Sequence, residues 1–424
     1  MNTRYSVSGT VLLLVCATVL ACADTTTAPP VTAPLAVTVR YCSGTVPSWV
    51  AFQDGNGAWT RALPSVTGGT TRFHSDFSTD RGAIATLSGP GALTVLSVQY
   101  GTPAELVVAG DTNPRDCGSL VSKTLFGTAA GLDTNESAYI SSALSSRIRV
   151  VPATGDSFEL KGLPDGPQDL LATRSTRTNG TEAVTRMIMR RSVDLADSAA
   201  LPVFDFGLSE AFAPAVANVS LSGLGSDGAS GGTRLLTGHD DLPVTVQTSP
   251  TTDVTRSYIA LPETRLLPGD LQVLFASVLP TVTADGRTAT LYFRAPTDRT
   301  VTLGAPLARP TFTTVATAPA LLLRAHYVSQ DDYDRSATIS YQQGITTIVV
   351  VSMTAAYAAL AGGYDLLVPD LSSVAGFDPA WALHPGASVQ WTAGRVGGTL
   401  GLGRDAVPSD GATLRTAFAV DTIP

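Results

Sequence analysis

Lysine is almost missing from this chain. Lys123 and Lys161 are the only two in 424 residues, and arginine supplies nearly all the positive charge. We attribute that bias to the codon usage of a GC-rich genome rather than to function. Charged residues of every kind reach only 15%, and the formal charge is −8 with no basic cluster. Such a chain is not built to hold nucleic acid, or to bind an anionic lipid surface by charge alone. The four histidines, His74, His239, His326 and His384, are too scattered to place a metal site on one element, and no cysteine pair is left to help. Glutamate is scarce and aspartate sits mostly at turn-like positions, so no carboxylate pair of the glycosidase kind stands out. No apolar run approaches the roughly 20 residues needed to cross a bilayer as a helix.

What is present is threonine, serine, 39 glycines and 27 prolines. β-Branched strand formers divided by turn residues are the composition of extracellular β-sandwiches. The expected class is all-β, built as two to four β-sandwich domains of immunoglobulin-like or transthyretin-like type.

Val11–Leu20 (VLLLVCATVL) is a ten-residue apolar run, with Arg4 upstream and Val19-Leu20-Ala21-Cys22 at its end. A short apolar segment, one upstream charge and a small residue before the cut are the parts of a secretory signal. The segment resembles the lipobox of bacterial lipoproteins. That resemblance implies loss of residues 1–21 and acylation of Cys22, where two or three chains give a stable anchor. Ala23, rather than aspartate, follows the cysteine, which by the same resemblance favours the outer membrane or cell surface. Residues 22–34, with their Thr/Pro-rich stretch from Ala23 to Pro34, read as an extended tether.

With Cys16 in the signal and Cys22 acylated, Cys42 and Cys117 remain. In an exported protein the pair reads as a disulfide. Two free thiols, or a nucleophilic Cys42, are the alternatives.

Residues 35–120 are expected to form a disulfide-closed sandwich. Val37, Val39 and Tyr41 alternate with polar residues, as a half-buried strand requires. Asp54-Gly55-Asn56-Gly57 marks a hairpin that would face Phe52 to Trp59. Leu93–Tyr100 and Leu106–Val108 read as further strands. In residues 121–212, a strand at Leu125-Phe126-Gly127 is followed by Phe158–Leu163, a turn at Pro164-Asp165-Gly166, and Asp169–Ala172. This order resembles the carboxypeptidase-regulatory-like, transthyretin-type sandwich, a module that is usually non-catalytic. Residues 213–424 are expected to form a large sandwich region, as one domain or as two dividing near Thr317, with Ala355–Ala361 as its short helix.

Two glycine-rich strings overlap in this last region. Gly223–Gly228 matches the dinucleotide fingerprint as letters but has no helix after it. Gly228–Gly232 matches the Gly-x-Ser-x-Gly elbow, and Ser230 with His239 and Asp240 or Asp241 would be the nearest hydrolytic constellation. A flexible Gly/Ser loop explains the same residues. Asp331, Asp332 and Asp334 form the densest acidic cluster, a candidate calcium set because hard cations take oxygen ligands; a solvated turn is the alternative. Trp49, Trp59, Trp381 and Trp391 are either sugar-stacking platforms or core residues.

The expected function is non-catalytic. The chain would be a cell-envelope protein anchored by lipid, with a binding, adhesion or scaffolding role toward a glycan or an envelope protein. It needs no cofactor beyond the calcium option. A secreted hydrolase with a loop-built site in residues 213–424 is the alternative.

Overall fold

The structure, a computed structural model, describes residues 35–423 apart from 43–45, 68–69, 90–92, 111–122, 143–147, 164–165, 179–180, 195, 239, 246–249, 279–284 and 402–406. Strand accounts for 56% and helix for 7%, so the class is all-β as the composition requires. No helix among the described residues is long and apolar enough to cross a membrane. Pro34–Pro424 form one compact unit.

Among the described residues the largest sheet has twelve strands. From one edge they are Asp241–Pro243, Ser230–Leu236, Leu271–Val278, Gly286–Phe293, Thr413–Ile423 and Val389–Gly398. They continue with Ser336–Gln343, Thr347–Thr354, Thr94–Gly101, Gly82–Ser88, Trp49–Asp54 and Thr60–Arg61. Most neighbours are antiparallel. The join between Thr347–Thr354 and Thr94–Gly101 is parallel, with Val349 opposite Leu96. That pairing ties residues of the expected first domain into the sheet of the last. Gly286–Phe293 pairs with Thr413–Ile423, so chain on either side of residue 317 also shares this sheet.

Alternation decides which faces are buried. Val37, Val39 and Tyr41 point inward from Leu35–Cys42 and meet Val50, Phe52, Phe73, Phe77, Ile84 and Leu106. The hairpin at Asp54–Gly57 forms, but Phe52 lies opposite Thr60 rather than Trp59. The registry is set by the Gly57 amide donating to the Asp54 carbonyl at 2.9 Å. Leu106–Val108, expected as a strand, belongs to the helix Pro103–Gly110. Thr102 and Glu105 cap it reciprocally. The Glu105 carboxylate accepts from the Thr102 amide at 2.9 Å, and the Thr102 hydroxyl accepts from the Glu105 amide at 3.4 Å.

Residues 123–212 fold as two facing sheets. One holds Ile148–Val150, Glu136–Ser141, Gln168–Thr178 and Thr181–Val193; the other holds Ser157–Leu163, Lys123–Ala130 and Phe204–Asp205. Leu125, Ile140, Leu160, Leu170, Ile188, Phe204 and Phe206 fill the space between them. A second apolar cluster joins this sandwich to the chain that follows, setting Leu171, Met187 and Phe212 against Leu235, Leu242, Val244 and Leu261. Beside it, Arg191 reaches Asp169 at 3.2 Å and Asp270 at 2.5 Å, and the Asp169 amide donates to Asp240 at 2.6 Å.

Candidate functional site

Strand Val389–Gly398 alternates strictly. Val389, Trp391, Ala393, Arg395 and Gly397 face inward, and the residues between them are half-buried or exposed. Strand geometry therefore carries an arginine into the interior, where Arg395 is 2% exposed. Over it lies the segment 327–334, whose turn Asp331–Tyr333 is held down by Tyr333. The Tyr333 hydroxyl donates to the Ala305 carbonyl at 2.6 Å, and burial pushes its pKa up to about 12. Gly397 permits this close approach, because a Cβ there would stand 2.1 Å from the Asp332 carbonyl oxygen.

The opposite wall is the helix Ala355–Ala361. Thr354 caps its start by accepting from the Tyr357 amide, and Gly362 ends it in the left-handed conformation at φ 85°. The Thr354 hydroxyl also donates to Glu105 at 2.8 Å, binding this helix to the capped helix Pro103–Gly110. Between the two walls is a cleft of about 310 Å³. It is lined by buried Tyr327 and Arg395 and half-buried Tyr364, by Ser329, Asp331 and Asp334 from the segment 327–334, and by Ala355, Ala358 and Ala359 from the helix.

The Arg395 guanidinium donates to the Val328 carbonyl at 3.2 Å and to the Tyr333 carbonyl. It stacks 4.2 Å from the centre of the Tyr364 ring and 5.8 Å from that of Tyr327. Burial draws its pKa below the ordinary arginine value, against the opposing pull of Tyr364, Tyr327 and Asp334. Burial raises the pKa of the Tyr364 phenol, which Arg395 partly offsets. The Tyr364 hydroxyl donates to the Asp334 carbonyl at 3.0 Å and so ties the two walls together.

The three acidic residues expected as calcium ligands do not converge. Asp331 and Asp334 line the cleft. Asp332 turns the other way, accepting from the Ala305 amide at 2.9 Å and pairing with Arg415 at 3.3 Å. Among the described residues no three histidine, cysteine, aspartate or glutamate side chains gather to hold a metal ion.

Ser230 does not sit on a strand-to-helix elbow. It begins the strand Ser230–Leu236 opposite Ser277, and its hydroxyl donates to the Ser277 carbonyl at 3.3 Å. The preceding glycines form a turn whose Gly223 and Leu224 carbonyls accept from Arg287. Asp241 pairs with Arg234 at 2.8 Å. His239, Cys22, Cys117 and the side chain of Cys42 lie outside the described residues.

The tryptophans belong to the core. Trp49 and Trp391 are buried, and Trp59 and Trp381 pack half-buried against the same cluster. The Trp49 indole donates to the Ala375 carbonyl at 3.2 Å. Of the other histidines, His74 is an exposed strand residue near Asp76 at 3.1 Å, and His326 ends the strand Leu322–His326.

Sequence reasoning did not single out Arg395. The signal was available, because the strand's own alternation puts it on the inward face in step with Trp391 and Ala393. Comparison with protein-family models and with curated proteins finds no match.

Proposed function

We propose that the chain is a lipid-anchored protein of the cell envelope that binds a partner rather than transforming one. The observation that carries this reading is the apolar run Val11–Leu20 leading into Leu20-Ala21-Cys22. Acylation of Cys22 would fix the chain to the outer membrane or cell surface, with residues 22–34 as the spacer. Two features of the body support a binding or scaffolding role. Its cleft offers charged and hydrogen-bonding groups on a frame tied by strand pairing, and Ser230 is engaged with the sheet rather than raised on a strained turn. Sandwich folds host many activities, so the argument rests on these residues and not on the architecture.

The test is metabolic labelling of cells expressing the full chain with an alkyne analogue of palmitate. The wild-type chain should take up label and fractionate with membranes, and Cys22→Ser should lose both. Equal labelling of Cys22→Ser, or an unlabelled wild-type chain in the soluble fraction, would refute the anchor.

A further inference from the structure

Among the described residues, several buried or largely buried arginines have a carboxylate partner, Arg190 with Glu210 at 2.8 Å among them. Arg287 meets Asp227 at 2.8 Å, Arg174 meets Glu136 at 2.7 Å, and Arg191 meets both Asp169 and Asp270. Arg395 is buried more deeply than any of them. Yet among the described residues no carboxylate lies within 4.0 Å of its guanidinium, and its Nε has no hydrogen-bond partner. Two backbone carbonyls and two tyrosine rings share the charge. Asp334 acts on this cation only from beyond ion-pair distance; a buried cation without a direct carboxylate partner is costly, and a carboxylate brought to it would form charge-assisted hydrogen bonds.

The cleft lined by Arg395 combines a buried cation with exposed carboxylates. The cation is buried, whereas Asp331 and Asp334 on the same lining are exposed, Asp334 lying 3.9 Å from Arg335. Gln330 is already engaged, accepting from the Ala308 amide and donating to the Pro306 carbonyl. A simple anion would meet two carboxylates on the same lining as the arginine. A molecule carrying an ammonium next to its carboxylate would gain at both ends. The wall of Ala355, Ala358 and Ala359 leaves about 310 Å³, near the lower end for small-molecule sites.

We propose that this cleft binds a small zwitterion of the amino-acid class, with its carboxylate toward Arg395 and its ammonium between Asp331 and Asp334. The inference deepens the binding role proposed above and rests on it.

The full chain, purified in detergent, is melted with L-alanine, L-serine or L-glutamine, and in separate arms with propionate and with ethylamine. A ligand selective for the native state raises the melting temperature by mass action. At least one amino acid should raise it, and neither half-molecule should do so at the same concentration. Ala359→Phe adds a bulky ring at an exposed position of the cleft lining. It should melt like wild type without ligand and lose the shift. The Asp331→Asn/Asp334→Asn double variant should bind the amino acid at least about tenfold more weakly. Propionate stabilising as well as the amino acid, an equal shift in Ala359→Phe, or no shift with any probe would each overturn the proposal. Cys22 labelling without an amino-acid response rejects only this inference, whereas loss of labelling rejects only the anchor.

Discussion

Glu136 shows how much one side chain can hold in place. Buried in the sandwich of residues 123–212, it accepts from Arg174 at 2.7 Å and from the Asp133 amide at 2.8 Å. Burial by itself would raise its pKa, but those two donors and the Arg174 charge leave it below the ordinary glutamate value. A carboxyl whose pKa is lowered by folding stabilises the native state above its unfolded pKa, and that contribution is lost as pH falls through the folded value. The urea midpoint of the wild-type chain should therefore fall as pH drops below about 4.5. Glu136→Gln should start lower at neutral pH and fall less, so the two curves approach each other in acid. Parallel curves would show that Glu136 contributes no such pH dependence. At this same scale the sequence marked some residues and hid others. Asp331, Asp332 and Asp334 are conspicuous as a local run, but whether three neighbouring carboxylates converge depends on Ala305 and Arg415, which are far away in sequence. Arg395 was hidden for the opposite reason: a lone arginine in a strand reads as exposed until its inward register is counted.

Elements made from short-range rules were the most legible. The alternation in Leu35–Cys42, the hairpin at Asp54–Gly57 and the helix Ala355–Ala361 all follow from patterns a few residues long. The helix Pro103–Gly110 was misread because Leu106-Val107-Val108 is a short apolar run that suits a strand equally well. Its capping box, Thr102-Pro103-Ala104-Glu105, was the deciding signal, with proline at the first helical position. The close approach of the turn Asp331–Tyr333 to the strand Val389–Gly398 gives a prediction at this scale. Gly397→Ala places a methyl group against the Asp332 carbonyl, which belongs to backbone and cannot rotate away. Overpacking of this kind costs about 1–3 kcal/mol. Chemical denaturation should show that loss together with a weaker response to cleft ligands; a change within about 0.5 kcal/mol, as for an ordinary surface substitution, would mean the turn is free to shift.

At the scale of the whole molecule, strand pairing across long separations was not readable. Nothing in Thr94–Gly101 or Thr347–Thr354 announces that they lie side by side in parallel, because both are ordinary alternating strands. The junction between the 123–212 sandwich and the following chain was equally silent, although it combines an apolar cluster with the pairing of Arg191 to Asp169 and Asp270. Removing the shared cation leaves two buried carboxylates without it. Arg191→Met should therefore cost about 3–5 kcal/mol, read from urea unfolding; a neutral effect would show that the apolar cluster alone holds the junction. Above these contacts stands the claim that the body is tethered by lipid at Cys22. Trypsin cleaves after Arg4 and Arg40 and meets no lysine or arginine between them. Mass spectrometry of the peptide ending at Arg40, from chain isolated out of bacterial envelopes, tests the tether directly. The account predicts a peptide beginning at Cys22 and carrying the mass of two or three acyl chains on glyceryl-cysteine. An unmodified peptide beginning at Tyr5 would contradict it.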